Sequence, residues 1–474
     1  MSESRPAAVL VLAAGEGKRM KSRVPKVLHS LCGRSMLGHA LAVAGELEPE
    51  RLVVVVGQGR EQVSAETARQ VPEALLVVQE NQLGTGHAVR MVSEAAGVFR
   101  GTVVVTYADM PLLRAQTLRE LIDVHHAERN AVTVLTASGD PAGYGRIVRD
   151  TGGSFLRIVE ERDASPAELA IREYNSGCYA FDGVLLADAV KRLPTDNKQQ
   201  EEYLTDAVEI LRGDGHPIGT MLAADTAEVR GVNDRVQLAA VRRALNDKIL
   251  EHWMLAGVTI LDPASTWVDV TVTIGQDAEI GPQTQLIGTT TIAEGARVGP
   301  GCLLEDTAVG AEAVLLHAVC RQSEIGPGAS IGPYAYLRPG TRILQNAHIG
   351  CHVELKNSEV GPGAKVPHLT YVGDASVGAG ANIGAGTIFA NYDGVAKHHT
   401  DVGEHAFVGS NTVLVAPVAV GDGAYTAAGS VVAEDVPPGD LGIARGRQHN
   451  SQGWVARNRA ETRSAEAAKR ARSE

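Results

Sequence analysis

Cysteine is scarce in this 474-residue chain, and the five present (Cys32, Cys178, Cys302, Cys320 and Cys351) stand far apart. No two share the two- to four-residue spacing of a zinc knuckle. A disulfide scaffold and a cysteine metal cluster are therefore set aside, and reduced, buried thiols are expected. Long apolar runs are missing as well: nothing approaches the ~20 residues that a bilayer-spanning helix needs. The stretch Ala7–Ala14 is too short for a secretory leader, and Glu3 stands among the few residues ahead of it. A soluble, cytoplasmic protein with no membrane association is expected. Positive charge is in deficit, 44 basic against 56 acidic residues for a net −12. This argues against nucleic-acid binding, which requires an electropositive footprint. Small anionic substrates stay open, because they respond to local charge. Hydrophobic residues at 44% exclude global disorder, and at roughly 100–200 residues per domain the length predicts two to four domains.

The two halves have different periods. In the first, Ala8–Ala13, Leu52–Val56, Leu75–Val78 and Thr102–Thr106 are short β-branched runs separated by helical stretches such as His87–Ala96. Strands alternating with helices predict a doubly wound, Rossmann-like α/β sheet. Ligands of such sheets bind at the carboxyl ends of the strands, which directs attention to the loops after Ala13, Val78 and Thr106. Beyond Leu261, Ile274, Ile280, Leu286, Ile292, Val298 and Leu304 recur every six residues, and the spacing resumes at Ile325, Ile331, Leu337, Ile343 and Ile349. Period six suits neither a helix nor an amphipathic sheet; it predicts a parallel β-helix of hexapeptide repeats, one aliphatic pointing inward per short strand and glycines at the corners. The register slips around Val360–Val377 and Asn391–Val402, where His368, Tyr371, Asn391, Tyr392, Lys397, His398 and His399 gather, and inserted loops on one face are expected there. Asn233–Ala256 reads as one connecting helix, with apolar positions at Val236, Ala240, Leu245 and Leu250. The predicted organisation is residues 1–232, a linker helix 233–256, a β-helix 257–447 and a solvated tail 448–474.

Three segments of the first half carry chemistry. Leu12-Ala13-Ala14-Gly15-Glu16-Gly17-Lys18-Arg19-Met20 follows the first strand, with glycines that let backbone N–H groups face a phosphate. The cations Lys18, Arg19, Lys21, Arg23 and Lys26 follow in an otherwise acidic chain. It is neither a Walker loop nor a full GxGxxG fingerprint, and the plain alternative is a turn with surface cations. Asp109, in Tyr107-Ala108-Asp109 at a strand's carboxyl end, suits Mg²⁺, which takes one or two carboxylates and leaves positions for substrate phosphates. The plain alternative is an N-cap for a helix starting near Met110. Gln82-Leu83-Gly84-Thr85-Gly86-His87 is a small-residue turn before a helix, otherwise explained as a cap by Thr85.

Together LAAGEGKRM, Pro25-Lys26-Val27-Leu28, QLGTGHA and the strand-terminal Asp resemble the sugar-1-phosphate nucleotidylyltransferases. The order GYGR (Gly143–Arg146), IVEERDA (Ile158–Ala164), EYNSG (Glu173–Gly177), GVN (Gly231–Asn233), HLTYVGDA, NIGAGT and NYDG extends the likeness to about Leu10–Trp454. Over that range the chain is similar to the bacterial bifunctional enzymes that join glucosamine-1-phosphate N-acetyltransferase to N-acetylglucosamine-1-phosphate uridyltransferase. The resemblance implies a left-handed β-helix, a homotrimer with acetyl-transfer sites between subunits, and UTP, acetyl-CoA and the two sugar phosphates as small-molecule substrates. It also implies a role in supplying UDP-N-acetylglucosamine for bacterial wall precursors.

Carried over by motif, the resemblance has Leu12, Ala13, Ala14, Gly15, Lys26, Gln79, Gly84, Thr85, Tyr107, Ala108 and Asp109 hold the uridine nucleotide. Gly145, Glu160, Asn175 and Asn233 would hold the N-acetylglucosamine end, with Mg²⁺ on Asp109 and Asn233 and phosphate charge neutralised by Arg19 and Lys26. In the β-helix, His368 would be the general base, since imidazoles titrate near ~6.5, and Glu354 would orient it. Arg338, Lys356, Tyr371, Asn382, Asn391 and Lys397 would bind glucosamine-1-phosphate. Ala385, Asn391, Tyr392, Ser410, Ala428 and Arg445 would line the acetyl-CoA site. The chain departs from the family pattern at Lys18, where Thr is common, at Ala108, where Gly is usual and a methyl would crowd a ligand, and at His398-His399. Two rivals differ in class. One is a single-activity nucleotidylyltransferase with a regulatory β-helix, which would not need His368, Asn391 or Tyr392. The other is a non-catalytic scaffold, against which Lys26, Asp109 and Asn233 together speak.

Overall fold

The computed structural model describes residues 5–473; Glu3 lies outside them. The chain divides into two compact units, residues 1–272 with 286–288, and residues 273–285 with 289–474.

The first unit is built on a nine-stranded sheet. Ala8–Leu12 lies at its centre, parallel to Arg51–Val56 on one side and Thr102–Tyr107 on the other, and Leu75–Val78 continues the parallel set. Ala8–Leu12 is buried along its whole length because both faces are covered: Ala8, Leu10 and Leu12 feed one core, Val9 and Val11 the other. Helices Met36–Gly45 and Ala115–Glu128 pack on the second face, Thr85–Ala96 and Leu204–Gly213 on the first. This is the doubly wound arrangement expected. The sequence reading does not anticipate the strand Glu173–Asp182, which runs antiparallel to Thr102–Tyr107 and Val132–Ser138 on its two sides and pairs antiparallel with Arg146–Arg149 as well. Its pairing slips between Asn175 and Tyr179, a bulge of the kind that re-aims side chains beside functional sites.

The connecting helix runs Arg235–Leu255, capped by Asp234, whose carboxylate accepts from the N–H groups of Val236 and Gln237. Its buried face is set by Leu238, Val241 and Leu250; Val236, expected inside, is 80% exposed, and Ala240 is exposed too. The apolar stripe starts two residues later because the first turn belongs to the cap.

In the second unit three parallel sheets run side by side as a left-handed parallel β-helix. Successive coils stack in register, Ile280 on Val298 on Leu315, and Ile331 on Ile349 on Val366. Every aliphatic of the two hexad runs is buried. Glycines take left-handed corners as expected, Gly295, Gly328, Gly363 and Gly380 among them, and others serve a second purpose. A Cβ on Gly326 would fall 2.8 Å from the backbone nitrogen of Gln345 on the next coil, so this glycine is needed for close stacking. Other left-handed corners are taken by Asp277, Glu312, Asn346, Asn357 and Asn411, residue types whose short polar side chains or exposure tolerate that backbone. The slip at Val360–Val377 is not an inserted loop: strands continue through Glu359–Val360, Lys365–His368, Tyr371–Gly373 and Ala375–Val377, and one side of the coil is merely a residue short. The insertion is confined to the residues between Ile388–Ala390 and Thr400–Val402. The tail is helical at Trp454–Asn458 and Arg463–Ser473, largely exposed, with Ala465 buried. Among the described residues no helix is long and apolar enough to cross a membrane.

Candidate active sites

At the carboxyl ends of the central strands of the first unit lie two adjoining clefts. The first, about 310 Å³, is lined by Leu12, Ala13, Ala14, Gly15, Lys26, Gln79, Gly84, Thr85, Tyr107 and Asp109. The second, about 360 Å³, is lined by Arg19, Gly145, Glu160, Asn175 and Asn233 and shares Thr85, Tyr107 and Asp109 with the first. Ala108 alone of the expected nucleotide residues lines neither. It is fully buried, its methyl packed in the core and its N–H bonded to the Leu12 carbonyl at 3.1 Å, so the expected crowding of a ligand does not arise. Lys18 is exposed and paired with Glu16.

The geometry converges on one point. Lys26 Nζ lies 2.5 Å from Asp109 Oδ2 and 3.4 Å from Asn233 Oδ1, bringing together three segments far apart in sequence. Gly17 sits at φ +62°, and a Cβ there would fall 2.5 Å from the Lys26 Cβ; the glycine loop thus makes room for the lysine. Gln79 donates to the Gly84 carbonyl at 2.9 Å and meets His87 Nδ1 at 2.9 Å, fixing the turn beneath the cleft. Neither capping alternative holds. The helix after Asp109 begins only at Ala115, and the N-cap of Thr85–Ala96 is Gly84, while the Thr85 hydroxyl accepts from Leu204 N–H at 3.1 Å. In the bulged strand Asn175 Nδ2 donates to Tyr179 Oη at 2.7 Å and its Oδ1 accepts from Gly177 N–H at 3.0 Å. Burial pushes the Glu160 carboxyl above the usual carboxylate range, although the Thr205 hydroxyl donates to it at 3.2 Å; the carboxylates of Asp163, Glu161 and Glu201 push the same way.

Gln82, Tyr144 and Glu201 are among the lining residues that the sequence leaves unassigned. Gln82, which donates to the Ala14 carbonyl at 2.5 Å, stands inside QLGTGHA and was within reach. Tyr144, inside GYGR, accepts from Gly231 N–H at 3.0 Å. Glu201 lines both clefts from a loop without a motif. That loop is held by Glu202, which takes two hydrogen bonds from Arg90 at 2.8 and 3.0 Å.

In the second unit Arg338, Glu354, Lys356, Tyr371, Asn391 and Lys397 come together. Arg338 Nη1 donates to Glu354 Oε1 at 3.0 Å, and Glu354 pairs in register with Tyr371. Lys356 Nζ lies 3.0 and 3.1 Å from the two Asp374 oxygens, and Asn391 Nδ2 donates to Asp374 at 2.5 Å. Lys397 stands against Lys356, whose hydrogen bond and charge hold the Lys397 amine below the ordinary lysine range. Burial alone would raise the Asp374 carboxyl, but hydrogen bonds from Asn357, Lys356 and Asn391 hold it below its usual range.

The expected contact of Glu354 with His368 is not made within the chain. His368 pairs with Cys351 on a different sheet and is exposed, while the Glu354 carboxylate is engaged by Arg338. Asn382 pairs with Lys365 on that same sheet. Ala385, Ser410 and Ala428 follow one corner through successive coils: Asn411 N–H donates to Ala385 O, Gly429 N–H to Ser410 O, both at 2.8 Å. Tyr392, 60% exposed, stands at the inserted loop and Arg445 is exposed beyond the last coils. His398 and His399 pin the loop: His398 Nε2 meets Asp393 at 2.7 Å and His399 Nε2 meets Ser376 Oγ at 2.9 Å. Backbone N–H donation from Ala396, with His398 and Val395 adding to it, holds the Asp393 carboxyl well below the usual range.

The family model of the MobA-like NTP transferase domain matches residues 9–249. Three relatives, each named bifunctional protein GlmU, match almost end to end. That of Streptomyces avermitilis is 59% identical over 99% of this chain and 98% of its own length. That of Thermobifida fusca is 59% identical over 100% and 99%, and that of Streptomyces coelicolor 58% over 99% and 98%. With identity at this level through both units, and each unit carrying its own cluster of converging polar groups, the chain belongs to the bifunctional GlmU family.

Proposed function

We propose that the chain makes UDP-N-acetylglucosamine in two steps on two sites. In the second unit the amine of glucosamine-1-phosphate attacks the thioester carbonyl of acetyl-CoA; His368 takes the amine proton as the tetrahedral adduct collapses and CoA leaves as its thiol(ate). Arg338, Lys356 and Lys397 receive the sugar phosphate, with Tyr371, Asn382 and Asn391 as polar partners. Ala385, Asn391, Tyr392, Ser410, Ala428 and Arg445 line the path of acetyl-CoA. Glu354 acts as the counter-charge of Arg338.

In the first unit a phosphate oxygen of N-acetylglucosamine-1-phosphate attacks the α-phosphate of UTP in line, and pyrophosphate leaves. Uridine and its phosphates lie along Leu12–Gly15, Gln79, Gly84 and Thr85, and the sugar along Gly145, Glu160 and Asn175. Arg19 and Lys26 neutralise phosphate charge, and the preformed clefts supply orientation. Asp109 and Asn233 fit Mg²⁺: two hard oxygen donors converge on one point, at which the Lys26 ammonium now stands in as the cation. Bound there, Mg²⁺ would offset charge building on the phosphates.

A homotrimer, acting in the cytoplasm, completes the reading. Its support is a set of exposed apolar side chains, Val395 on the inserted loop and Tyr425, Val431, Leu441 and Ile443 on the later coils, surface of the kind that marks subunit contacts. The observation that carries the whole is the meeting of Lys26, Asp109 and Asn233 in one unit and of Arg338, Lys356, Asn391 and Lys397 in the other. The test supplies purified protein with glucosamine-1-phosphate, acetyl-CoA, UTP and Mg²⁺ and follows CoA thiol and pyrophosphate together. Both are expected, with pyrophosphate dependent on acetyl-CoA. Absence of CoA release would leave the β-helix a structural role and favour a single-activity nucleotidylyltransferase.

A further inference from the structure

Lys356 and Lys397 present the structure with a problem of like charge. The charge of each bears on the other, and Arg338 adds a third cation that acts on Lys397. Unopposed, two long flexible side chains would swing apart. Asp374 prevents it. Its two oxygens sit 3.0 and 3.1 Å from Lys356 Nζ, and the remaining acceptor sites are filled by Asn357 Nδ2 at 2.8 Å and Asn391 Nδ2 at 2.5 Å. The backbone is tied in too: Asp374 N–H donates to the Lys356 carbonyl at 3.0 Å, and the residue sits in the left-handed region at φ +49°. Asp374 is 9% exposed. A carboxylate has about four acceptor positions, so this one has none left for a substrate. The site around it is tight: a Cβ on Gly373 would fall 2.7 Å from Asn391 Nδ2 and 2.7 Å from the Tyr371 ring.

We infer that Asp374 is a positioning residue of the acetyl-transfer site: it holds the Lys356 ammonium beside Lys397, where the pair meets the sugar phosphate, and turns the Asn391 amide so that the amide oxygen is left to accept from the sugar. The inference rests on the acetyltransferase reading above. It makes a prediction opposite in sign to simple electrostatics. Removing a negative charge next to an anion site should strengthen anion binding on charge alone; removing a positioning group should weaken it.

The test is Asp374→Asn in the full-length protein, with CoA thiol release measured against each substrate in turn. The expected result is a KM for glucosamine-1-phosphate raised about tenfold or more, the scale of losing a hydrogen bond to a charged group. KM for acetyl-CoA should rise several-fold less, because of the groups that Asp374 holds only Asn391 lies on its path, and uridylyl transfer should be unchanged. Asp374→Glu, which keeps the charge and displaces the oxygens, should raise the same KM less, and carries the test if the Asn variant does not fold. Adding Lys356→Gln to Asp374→Asn should raise KM by clearly less than the product of the two single effects, because the part of Asp374 that acts through the Lys356 ammonium is already lost. An unchanged or lower KM for the sugar phosphate overturns the inference, as do an equal rise in both KM values and full additivity in the double variant. Failure of the wild-type protein to acetylate at all would overturn the underlying reading, a result distinguishable from any of these.

Discussion

Asp109 and His368 each carry one proposed reaction, so single replacements should separate the two. Asp109→Asn keeps the side chain's size and removes the charge facing Lys26 and Asn233; it should abolish pyrophosphate release from UTP and leave CoA release intact. His368→Ala should do the reverse. Both motifs were readable in the sequence, because loop and strand-end chemistry is local. Asp374 was not singled out: its importance comes from Lys356, Asn357 and Asn391 converging on it from neighbouring coils, and no spacing in the chain announces that. Asp206 makes a separate prediction. Burial first, then the carboxylates of Glu209, Glu160, Asp196 and Asp163, push its carboxyl up to about 6 from 3.8. Between those values the folded chain holds a proton that the unfolded chain has lost, so stability falls as pH rises through that window. Asp206→Asn should therefore melt higher than wild type at about pH 7.5, by roughly 1 kcal/mol or about 2–4 °C after allowing for solvent screening. The gain should shrink as pH falls toward about 4, which melting curves at several pH values would check.

Elements formed where period and chemistry agreed. The four anticipated strands of the first unit and the hexads of the second follow from burial on both faces or on one inward position, information that neighbouring residues carry. The antiparallel strand Glu173–Asp182 and its bulge did not follow, since direction is chosen by the strands on either side. The connecting helix shows the same division. Its extent was readable, but its inner face was not, because the cap at Asp234 shifts the first buried turn to Leu238 and Val241. Asn246 on that helix is fully buried; its Nδ2 donates to the Thr266 carbonyl at 2.8 Å and its Oδ1 accepts from Val268 N–H at 3.0 Å. Asn246→Leu, similar in size, would strand both backbone groups away from water. A loss of about 2–3 kcal/mol in unfolding free energy is expected, read from denaturant titration.

For the whole molecule, each unit holds its own group of candidate residues, and this suggests that N-acetylglucosamine-1-phosphate reaches the second reaction through solution. Mixing the Asp109→Asn and His368→Ala proteins should then restore conversion of glucosamine-1-phosphate to UDP-N-acetylglucosamine, with a lag that shortens as protein concentration rises. No restoration in the mixture, with each single activity intact, would mean that the intermediate must stay on one assembly.

The sequence by itself determined the two architectures, because periodicity is encoded within short stretches, and its glycine loops and strand-end polar residues supplied the candidate residues proposed for both sites. Only the tertiary structure decided which of those residues touch. It joined Lys26, Asp109 and Asn233, turned the Ala108 methyl into the core, gave Glu354 to Arg338 instead of His368, and made Asp374 the hub of its cluster. Contacts of that kind depend on coil stacking and strand order, which pack groups distant along the chain into a few ångströms where charge and hydrogen bonding must balance.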